Sequence, residues 1–216
     1  MAGLSYKLRV PQFFQPAGSD ICGSACARMV LHRYGERRSL DWIVRDLRGR
    51  TGTTAEHLAL WAMRRGYAAT IIGWCPPLPQ RLLLLDDGAS REELLSWTRQ
   101  ASSRDDNYRR GFQRRIRNIL RQGGTYLPRP VSRMDLVQAL RRGIPPLLIV
   151  NSGVLYGTRE VTAAHFVVVT GIGRYRIRLN DPYPGFGGRR EYDLDRVLHA
   201  CYVCDASALF LRPQDP

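Results

Sequence analysis

The stretch ICGSACARMVLHRYG, residues 21–35, places Cys22 at the first turn of a predicted amphipathic helix. Two later stretches complete the pattern: AAHFVVVTGI (163–172), with His165 at the start of an apolar strand, and LNDPYPG (179–185), with Asp181 at a strand-to-turn junction. The positive end of a helix dipole favours the thiolate form of a cysteine. A cysteine, a histidine and an aspartate in this chain order predict a cysteine hydrolase with Cys22 as its nucleophile.

His165 is the best candidate for the base that ionises Cys22. If HFVVVTGI and RYRIRLN form a hairpin through Gly173, antiparallel geometry brings Asp181 beside the start of the first strand, close to His165. Two other interpretations stay open: a strand histidine can be a hydrogen-bonded core residue, and Asn-Asp-Pro commonly starts a turn. The remaining histidines lie in predicted helices: His32, His57 and His199.

A glutamine in the loop before Cys22 is a candidate donor to the oxyanion. Gln15 can point its amide N–H at the oxyanion beside the backbone amide of Cys22, and Gln12 is the competing choice. We also expect Gly23 and Ala164 to contact the substrate, since each flanks a candidate catalytic residue and glycine allows close approach to the backbone.

The order of local patterns predicts an α+β fold, because helices come first and mostly antiparallel strands come later. Prolines and glycines punctuate residues 1–20, which favours an extended loop there. Side chains that can cap helix starts are Ser39, Thr53 with Glu56, Ser90 with Glu93, and Ser132. YAATIIGW, PLLIVN, HFVVVTGI, RYRIRLN and ASALFL are predicted strands, and a short helix is predicted near residues 194–199.

We predict one domain over residues 1–216, with a basic helical insertion at 75–130. The chain has 216 residues, of which 44% are apolar, enough for one domain with a real core. The predicted insertion carries Arg114, Arg115 and Arg117 on one helical segment. These arginines form either a solvated helix face or the approach to the site.

The formal charge of +14 favours an acidic substrate or partner. The chain lacks a nucleic-acid motif with interleaved aromatic residues, so we do not expect nucleic acid to be the partner. It also lacks an apolar run of transmembrane or signal-peptide length, which favours a cytoplasmic protein and gives no reason to expect membrane binding. Nothing in the sequence indicates an oligomeric state.

Five cysteines are present, and without a secretory signal we expect all of them to be thiols. Cys26 lies one helical turn beyond Cys22, where a core position is favoured. Cys201 and Cys204 form a CxxC pair, but the partner ligands that a zinc site needs are missing. The sequence therefore implies neither a metal nor an organic cofactor.

The chain resembles the papain-like bacteriocin-processing peptidase superfamily in four stretches: VPQFFQ (10–15), CGSAC (22–26), AHFVVVTG (164–171) and NDPYPG (180–185). The resemblance implies a papain-like fold, in which an N-terminal helical half with the cysteine at a helix start packs on a C-terminal sheet. It also implies Cys22 as nucleophile, His165 as base, Asp181 as the residue that orients the base, and Gln15 as oxyanion donor.

The later part of the chain resembles a narrower branch, a family identified as soluble guanylyl cyclases. Three stretches carry this resemblance: VSRMDLVQALRRGIPPLLIVNSGVL (131–155), HFVVVTGI (165–172) and NDPYPGFGGRREYDLDRVLHA (180–200). Nucleotide cyclisation normally needs paired carboxylates that hold metal ions near a phosphate cradle, and this chain shows neither. We therefore predict a cysteine peptidase or amide hydrolase acting on a peptide terminus or a small peptidyl substrate. An acyltransferase or ligase using the same acyl-enzyme, and a non-catalytic peptide-binding module, stay open as alternatives.

Overall fold

The computed structural model describes residues 4–48, 52–73, 89–99, 107–159 and 163–214. Across these ranges the chain forms a mixed α+β fold around one sheet. Its strands are β1 (Leu4–Lys7), β2 (Tyr67–Ile72), β3 (Thr125–Leu127), β4 (Leu147–Asn151), β5 (Ala164–Gly173), β6 (Arg176–Asp181), β7 (Gly188–Asp193) and β8 (Ala208–Pro213). Its helices are α1 (Cys22–Arg33), α2 (Leu40–Asp46), α3 (Ala55–Met63), α4 (Arg91–Arg99), α5 (Asn107–Arg121), α6 (Arg133–Arg141), α7 (Ser152–Tyr156) and α8 (Leu194–Tyr202).

The sheet runs in the order β3-β2-β8-β4-β5-β6-β7, with β1 added on β5. The described strand pairs are antiparallel except β2 with β3. The predicted hairpin of β5 and β6 is confirmed, with Val168 opposite Asn180. Because the pair is antiparallel, the end of β6 lies near the start of β5, where the candidate site begins.

Alternate residues along the central strands face two separate cores. Phe166 and Val168 pack with α1, α3 and α5 on one face, while Val167 and Val169 pack with α6 and α8 on the other. This alternation is the period-two pattern of a strand covered on both sides. The N-terminal helices therefore rest on the sheet through α1, and the α+β architecture predicted from the sequence is confirmed.

Helix starts follow the predicted capping side chains, with one correction. Ser39 accepts from the Trp42 amide at 3.1 Å, and Ser132 accepts from the Asp135 amide at 3.2 Å. The prediction that Thr53 caps α3 was wrong: the cap is Thr54, which pairs with the His57 ring. Thr53 lies one residue earlier, does not cap the helix, and packs against Gly23 instead.

Residues 1–20 do not form only an extended loop, because β1 pairs with the end of β5. Three further elements escaped prediction: β3, β7 and the five-residue helix α7. The described part of residues 75–130 contains α4, α5 and β3, whereas Cys75 and the other residues of 74–88 and 100–106 lie outside the described residues. None of the described helices is both long and apolar enough to cross a membrane.

The predicted start of α4 is confirmed. Ser90 and Glu93 exchange hydrogen bonds, from the Ser90 amide to the Glu93 carboxylate at 2.8 Å and from the Glu93 amide to the Ser90 hydroxyl at 3.2 Å. The arginines of α5 divide between two environments. Arg114 is exposed, while Arg117 donates to the Thr98 carbonyl and thereby joins α5 to α4.

Candidate active site

The site begins at Cys22, the first residue of α1. The first bond of the helix runs from the Ala25 amide to the Ile21 carbonyl at 3.0 Å, and no side chain caps this end. The amides of the first turn therefore have no acceptor within the helix and can meet a negative group from outside. Cys22 is half-buried at this end, between the helix and the sheet.

His165 and Asp181 form a buried pair on the neighbouring strands. The His165 Nε2 lies 2.8 Å from the Asp181 Oδ1, and the two residues are 7% and 0% exposed. The hairpin register places them side by side, as the sequence predicted. With Nε2 directed at the carboxylate, Nδ1 is the ring nitrogen that remains for Cys22.

Cys22 and His165 are hydrogen bonded to each other, and each changes the titration of the other. Burial works against charge on both groups, but the hydrogen bond and the charge of His165 lower the pKa of Cys22 below its ordinary value. The Asp181 and Cys22 partners outweigh burial in the same way and raise the pKa of His165 to about 9. Both shifts are in the direction that favours a thiolate–imidazolium pair.

The carboxylate of Asp181 is held on both oxygens. Oδ1 also accepts from the Tyr183 amide at 2.9 Å, and Oδ2 accepts from the Tyr156 hydroxyl at 2.8 Å. Burial and the charge of Asp181 raise the pKa of Tyr156, so its hydroxyl stays protonated and donates. Sequence analysis missed Tyr156, because its short helix gives no periodic signal and its link to Asp181 is visible only in the fold.

Of the two candidate glutamines, Gln15 lies on the cavity wall and Gln12 does not. Gln12 instead donates to the Asp181 carbonyl at 2.8 Å, which fixes the N-terminal loop to the end of β6. Gln15 is 6% exposed and donates to the Ser19 carbonyl, while its Oε1 accepts no hydrogen bond. The position of Gln15 fits an oxyanion donor, because its Nε2 carries a second N–H besides the one that is donated to Ser19.

Gly23 and Ala164 take different positions. Ala164 is exposed and lines the cavity beside His165. Gly23 is buried and is not among the cavity-lining residues. A Cβ at position 23 would clash with the Thr53 hydroxyl and press on the Phe166 ring, so this glycine lets α1 pack closely on its neighbours.

The other described cysteines lie outside this arrangement. Cys26 is fully buried and donates to the Phe166 carbonyl at 3.2 Å, and burial raises its pKa well above the ordinary range. Cys201 is buried in the second core, and burial raises its pKa to about 12. Cys204 is half-buried, with a raised pKa because of burial and the Asp205 charge. Within the described ranges, no three His, Cys, Asp or Glu side chains form a metal-binding group.

A cavity of about 440 Å³ opens over Cys22 and His165. Its wall joins four parts of the chain: the loop before α1, the start of α3, the first turns of α5 and the strand ends of the sheet. Aromatic side chains form much of its lining, with Phe112 and Tyr108 from α5 on one side and Tyr156 and Tyr183 near His165. The volume suits a short segment of peptide or a small molecule.

Two solved peptidase structures share this fold. The chain matches the peptidase domain of Streptococcus ComA, a bi-functional ABC transporter involved in a quorum sensing pathway, with a TM-score of 0.52 and 16% identity. That match covers 95% of this chain and 100% of the other. It also matches a double glycine motif protease from an AMS/PCAT transporter, solved in complex with the leader peptide, with a TM-score of 0.52 and 15% identity over 99% of both chains.

These likenesses show the fold and confirm the papain-like architecture predicted from the sequence. No protein-family model matches the chain, and no curated protein matches it. Neither solved structure belongs to the guanylyl cyclase branch, so that narrower resemblance stays a prediction.

Proposed function

We propose that this chain is a cysteine peptidase or amide hydrolase that works through an acyl-enzyme on Cys22. One observation carries the proposal: a single imidazole, that of His165, is hydrogen bonded both to the Cys22 thiol and to the buried Asp181 carboxylate. This is the chain of nucleophile, base and orienting group that acyl transfer requires. We further propose that residues 1–216 form one papain-like domain, with 75–130 as an insertion.

In the proposed reaction, the Cys22 thiolate attacks the carbonyl carbon of the scissile amide. The developing oxyanion lies at the start of α1, where the Cys22 amide and the Gln15 side chain can donate to it. The His165 imidazolium then gives its proton to the leaving amine, and the C–N bond breaks. Neutral His165 next removes a proton from water, which attacks the thioester, and the thiolate leaves.

A peptide substrate fits this site best. The solved double glycine motif protease was captured with a leader peptide, and the cavity above Cys22 has the size of a short peptide segment. In this mechanism Asp181 and Tyr156 do not react with the substrate themselves. They hold the ring of His165 in the orientation that keeps Nδ1 on the sulfur.

The decisive experiment is alkylation with iodoacetamide, followed by mass mapping of each cysteine. Cys22 and Cys204 are both half-buried, but their pKa values move in opposite directions, so Cys204 is an internal reference. We expect selective modification of Cys22 at pH 6–7, where an ordinary thiol is mostly protonated. Equal labelling of the two cysteines would contradict the proposed activation.

Activity is then sought with a mixed peptide library and mass-spectrometric detection of products. Cys22→Ala should abolish any cleavage found, by roughly a thousandfold or more. Cleavage should fall as the pH rises through about 9, because His165 then loses the proton that the leaving amine needs. Products that require an added amine, and do not form with water alone, would assign acyl transfer instead of hydrolysis.

A further inference from the structure

The charge of the cavity wall is opposite to that of the whole chain. The chain carries a formal charge of +14, yet the carboxylate-bearing residues Asp20, Glu56 and Asp205 line the cavity and no lysine or arginine of the described residues does. A local field of this sign attracts cations to the site even though the molecule as a whole repels them. The wall therefore selects against the acidic substrate that the net charge predicts.

Three residues of the cavity wall also hold buried oxygen atoms that accept no hydrogen bond. Among the described residues, Gln15 Oε1, Thr53 Oγ1 and Glu56 Oε2 have no hydrogen-bond partner. The three residues are 6%, 9% and 6% exposed, in that order. We call these three residues the acceptor wall. Buried polar atoms are normally satisfied, so three unused acceptors on one cavity indicate a ligand that donates hydrogen bonds.

The acceptor wall lies close to the reacting sulfur. Thr53 packs directly against Gly23, the residue after Cys22, and Glu56 is in the first turn of the helix that follows Thr53. Gln15 contacts the loop that leads into α1 through the Ser19 carbonyl. A group bound at this wall is therefore near the bond that Cys22 would attack.

The nearest described cation to Glu56 leaves room for a ligand. The Arg115 Nε lies 3.9 Å from the Glu56 Oε2, which is too long for a hydrogen bond, and Arg115 is not among the cavity-lining residues. The Arg115 Nε is itself without a hydrogen-bond partner. A substrate ammonium group can offer Glu56 the direct, charge-assisted hydrogen bond that Arg115 does not make.

We propose that the acceptor wall binds a primary ammonium group of the substrate, with Glu56 as the anion that selects it. This inference rests on the proposed function, because it names the substrate class of the same site. Two parts of a peptide carry such a group: the free amino terminus and a lysine side chain. Gln15 and Thr53 supply the additional acceptors that an ammonium group with several N–H bonds can use.

The test uses charged thiol reagents, so it does not depend on finding a substrate. The rates at which 2-aminoethyl and 2-sulfonatoethyl methanethiosulfonate modify Cys22 are compared by mass mapping. Each reagent forms a disulfide with the thiolate and releases methanesulfinate. Since both react with the same thiolate, the ratio of the cationic to the anionic rate cancels any change in its nucleophilicity. Each ratio is divided by the ratio measured for a small free thiol, because any thiolate reacts faster with a cationic than with an anionic reagent.

We expect the ratio for Cys22 to exceed one in the wild type, against the net charge of the protein. Glu56→Gln should lower it about fivefold, the effect of one partly screened charge at short range. The matched control is Glu191→Gln, which removes a carboxylate from the Arg178 ion pair on β7, away from the cavity. The control should leave the ratio unchanged.

A wild-type ratio below one, or a ratio that survives Glu56→Gln in a folded protein, overturns the proposal. If Glu56→Gln unfolds, Thr53→Val replaces it, because it removes another acceptor of the same wall and nearly keeps the side-chain shape. An unchanged ratio in Thr53→Val then counts against the proposal, and a lowered ratio supports it.

Peptides distinguish the two sources of the ammonium group. Acetylation of the amino terminus and replacement of lysine by norleucine are compared in otherwise identical peptides. Slower cleavage after one change assigns that group to the wall, and no effect of either change overturns the proposal. Failure to cleave any peptide would instead contradict the proposed hydrolase, while the reagent ratio would still decide the acceptor wall.

Discussion

The two sides of the cavity differ in how their polar atoms are used. On the side of His165 and Asp181, both carboxylate oxygens are hydrogen bonded, and the imidazole has a partner on each side. On the acceptor wall, three buried oxygens have none among the described residues. We call the first side the finished side, because folding alone satisfies its hydrogen bonds, as the proposed reacting groups require. On the acceptor wall, hydrogen bonds are left for a ligand to complete.

The largest effect on this difference between the two sides is expected from the removal of His165. In His165→Ala the thiol loses the side-chain hydrogen bond and the positive charge that lower its pKa, so only the backbone hydrogen bonds of Phe166 and Gly23 still oppose burial. We expect iodoacetamide labelling of Cys22 at pH 7 to fall to the level of Cys204, and cleavage to fall by roughly a thousandfold or more.

The control for His165 is His199→Ala, because His199 is exposed on α8. It should leave both labelling and cleavage unchanged. If Cys22 reacts as fast in His165→Ala as in the wild type, the thiol owes its reactivity to the helix start alone. The hydrogen bonds of the finished side would then contribute nothing to that reactivity.

A smaller effect is expected from Tyr156→Phe, which removes one hydrogen bond from the finished side. The buried Asp181 Oδ2 then loses its only described partner, at a cost of about 1–3 kcal/mol in the free energy of unfolding. We expect kcat to fall about tenfold with little change in KM, because the lost hydroxyl orients the base, whereas the ring that lines the cavity is kept.

Tyr202→Phe is the matched control for this change. Its hydroxyl also donates one hydrogen bond, to the Val131 carbonyl at 3.1 Å, but on a different part of the molecule. Urea unfolding measures the stability of both variants and steady-state kinetics measures the activity. Equal kinetic effects of the two changes would contradict a positioning role for Tyr156.

The smallest effect is expected on the acceptor wall, from Thr53→Val. Valine has nearly the same shape, and the hydroxyl that it replaces has no described partner. Stability in urea should therefore stay the same or rise by up to ~1 kcal/mol. A loss as large as that of Tyr156→Phe would mean that the Thr53 hydroxyl is satisfied in the folded protein.

The elements that the sequence predicted best are those with local signals. The alternation in HFVVVTGI and RYRIRLN, with Gly173 between them, was enough to predict the hairpin and so the meeting of His165 with Asp181. Ser39 and Ser132 were found because capping depends on residues only three positions apart. The position of Cys22 at the first turn of α1 was also predicted from the local sequence pattern.

The missed elements depend on partners that are distant in the chain. β1 has only four residues and is a strand because the end of β5 offers it hydrogen bonds. Tyr156 reaches Asp181 through a short helix that no periodic pattern announces. The cap of α3 was misplaced because Thr53 and Thr54 offer the same side chain, whereas in the fold Thr54 forms the cap and Thr53 packs against Gly23.

The amino-acid composition also could not predict the charge of the cavity. A net value of +14 sums the whole surface, whereas the cavity samples a few residues from separate segments. Only the fold shows that α3 brings Glu56 to the cavity while the Arg114 side chain stays at the surface. For this chain, the net charge therefore does not describe the charge of the cavity.

The proposed nucleophile, Cys22, and its proposed base, His165, lie far apart in the chain. Their neighbours Cys26 and Phe166, which bond directly, are 140 residues apart in sequence. The Cys22 thiol therefore lacks its imidazole partner until β5 has been synthesised and has docked on α1. The lowering of its pKa by His165 is a property of the assembled helix and sheet, and an incomplete chain does not have it.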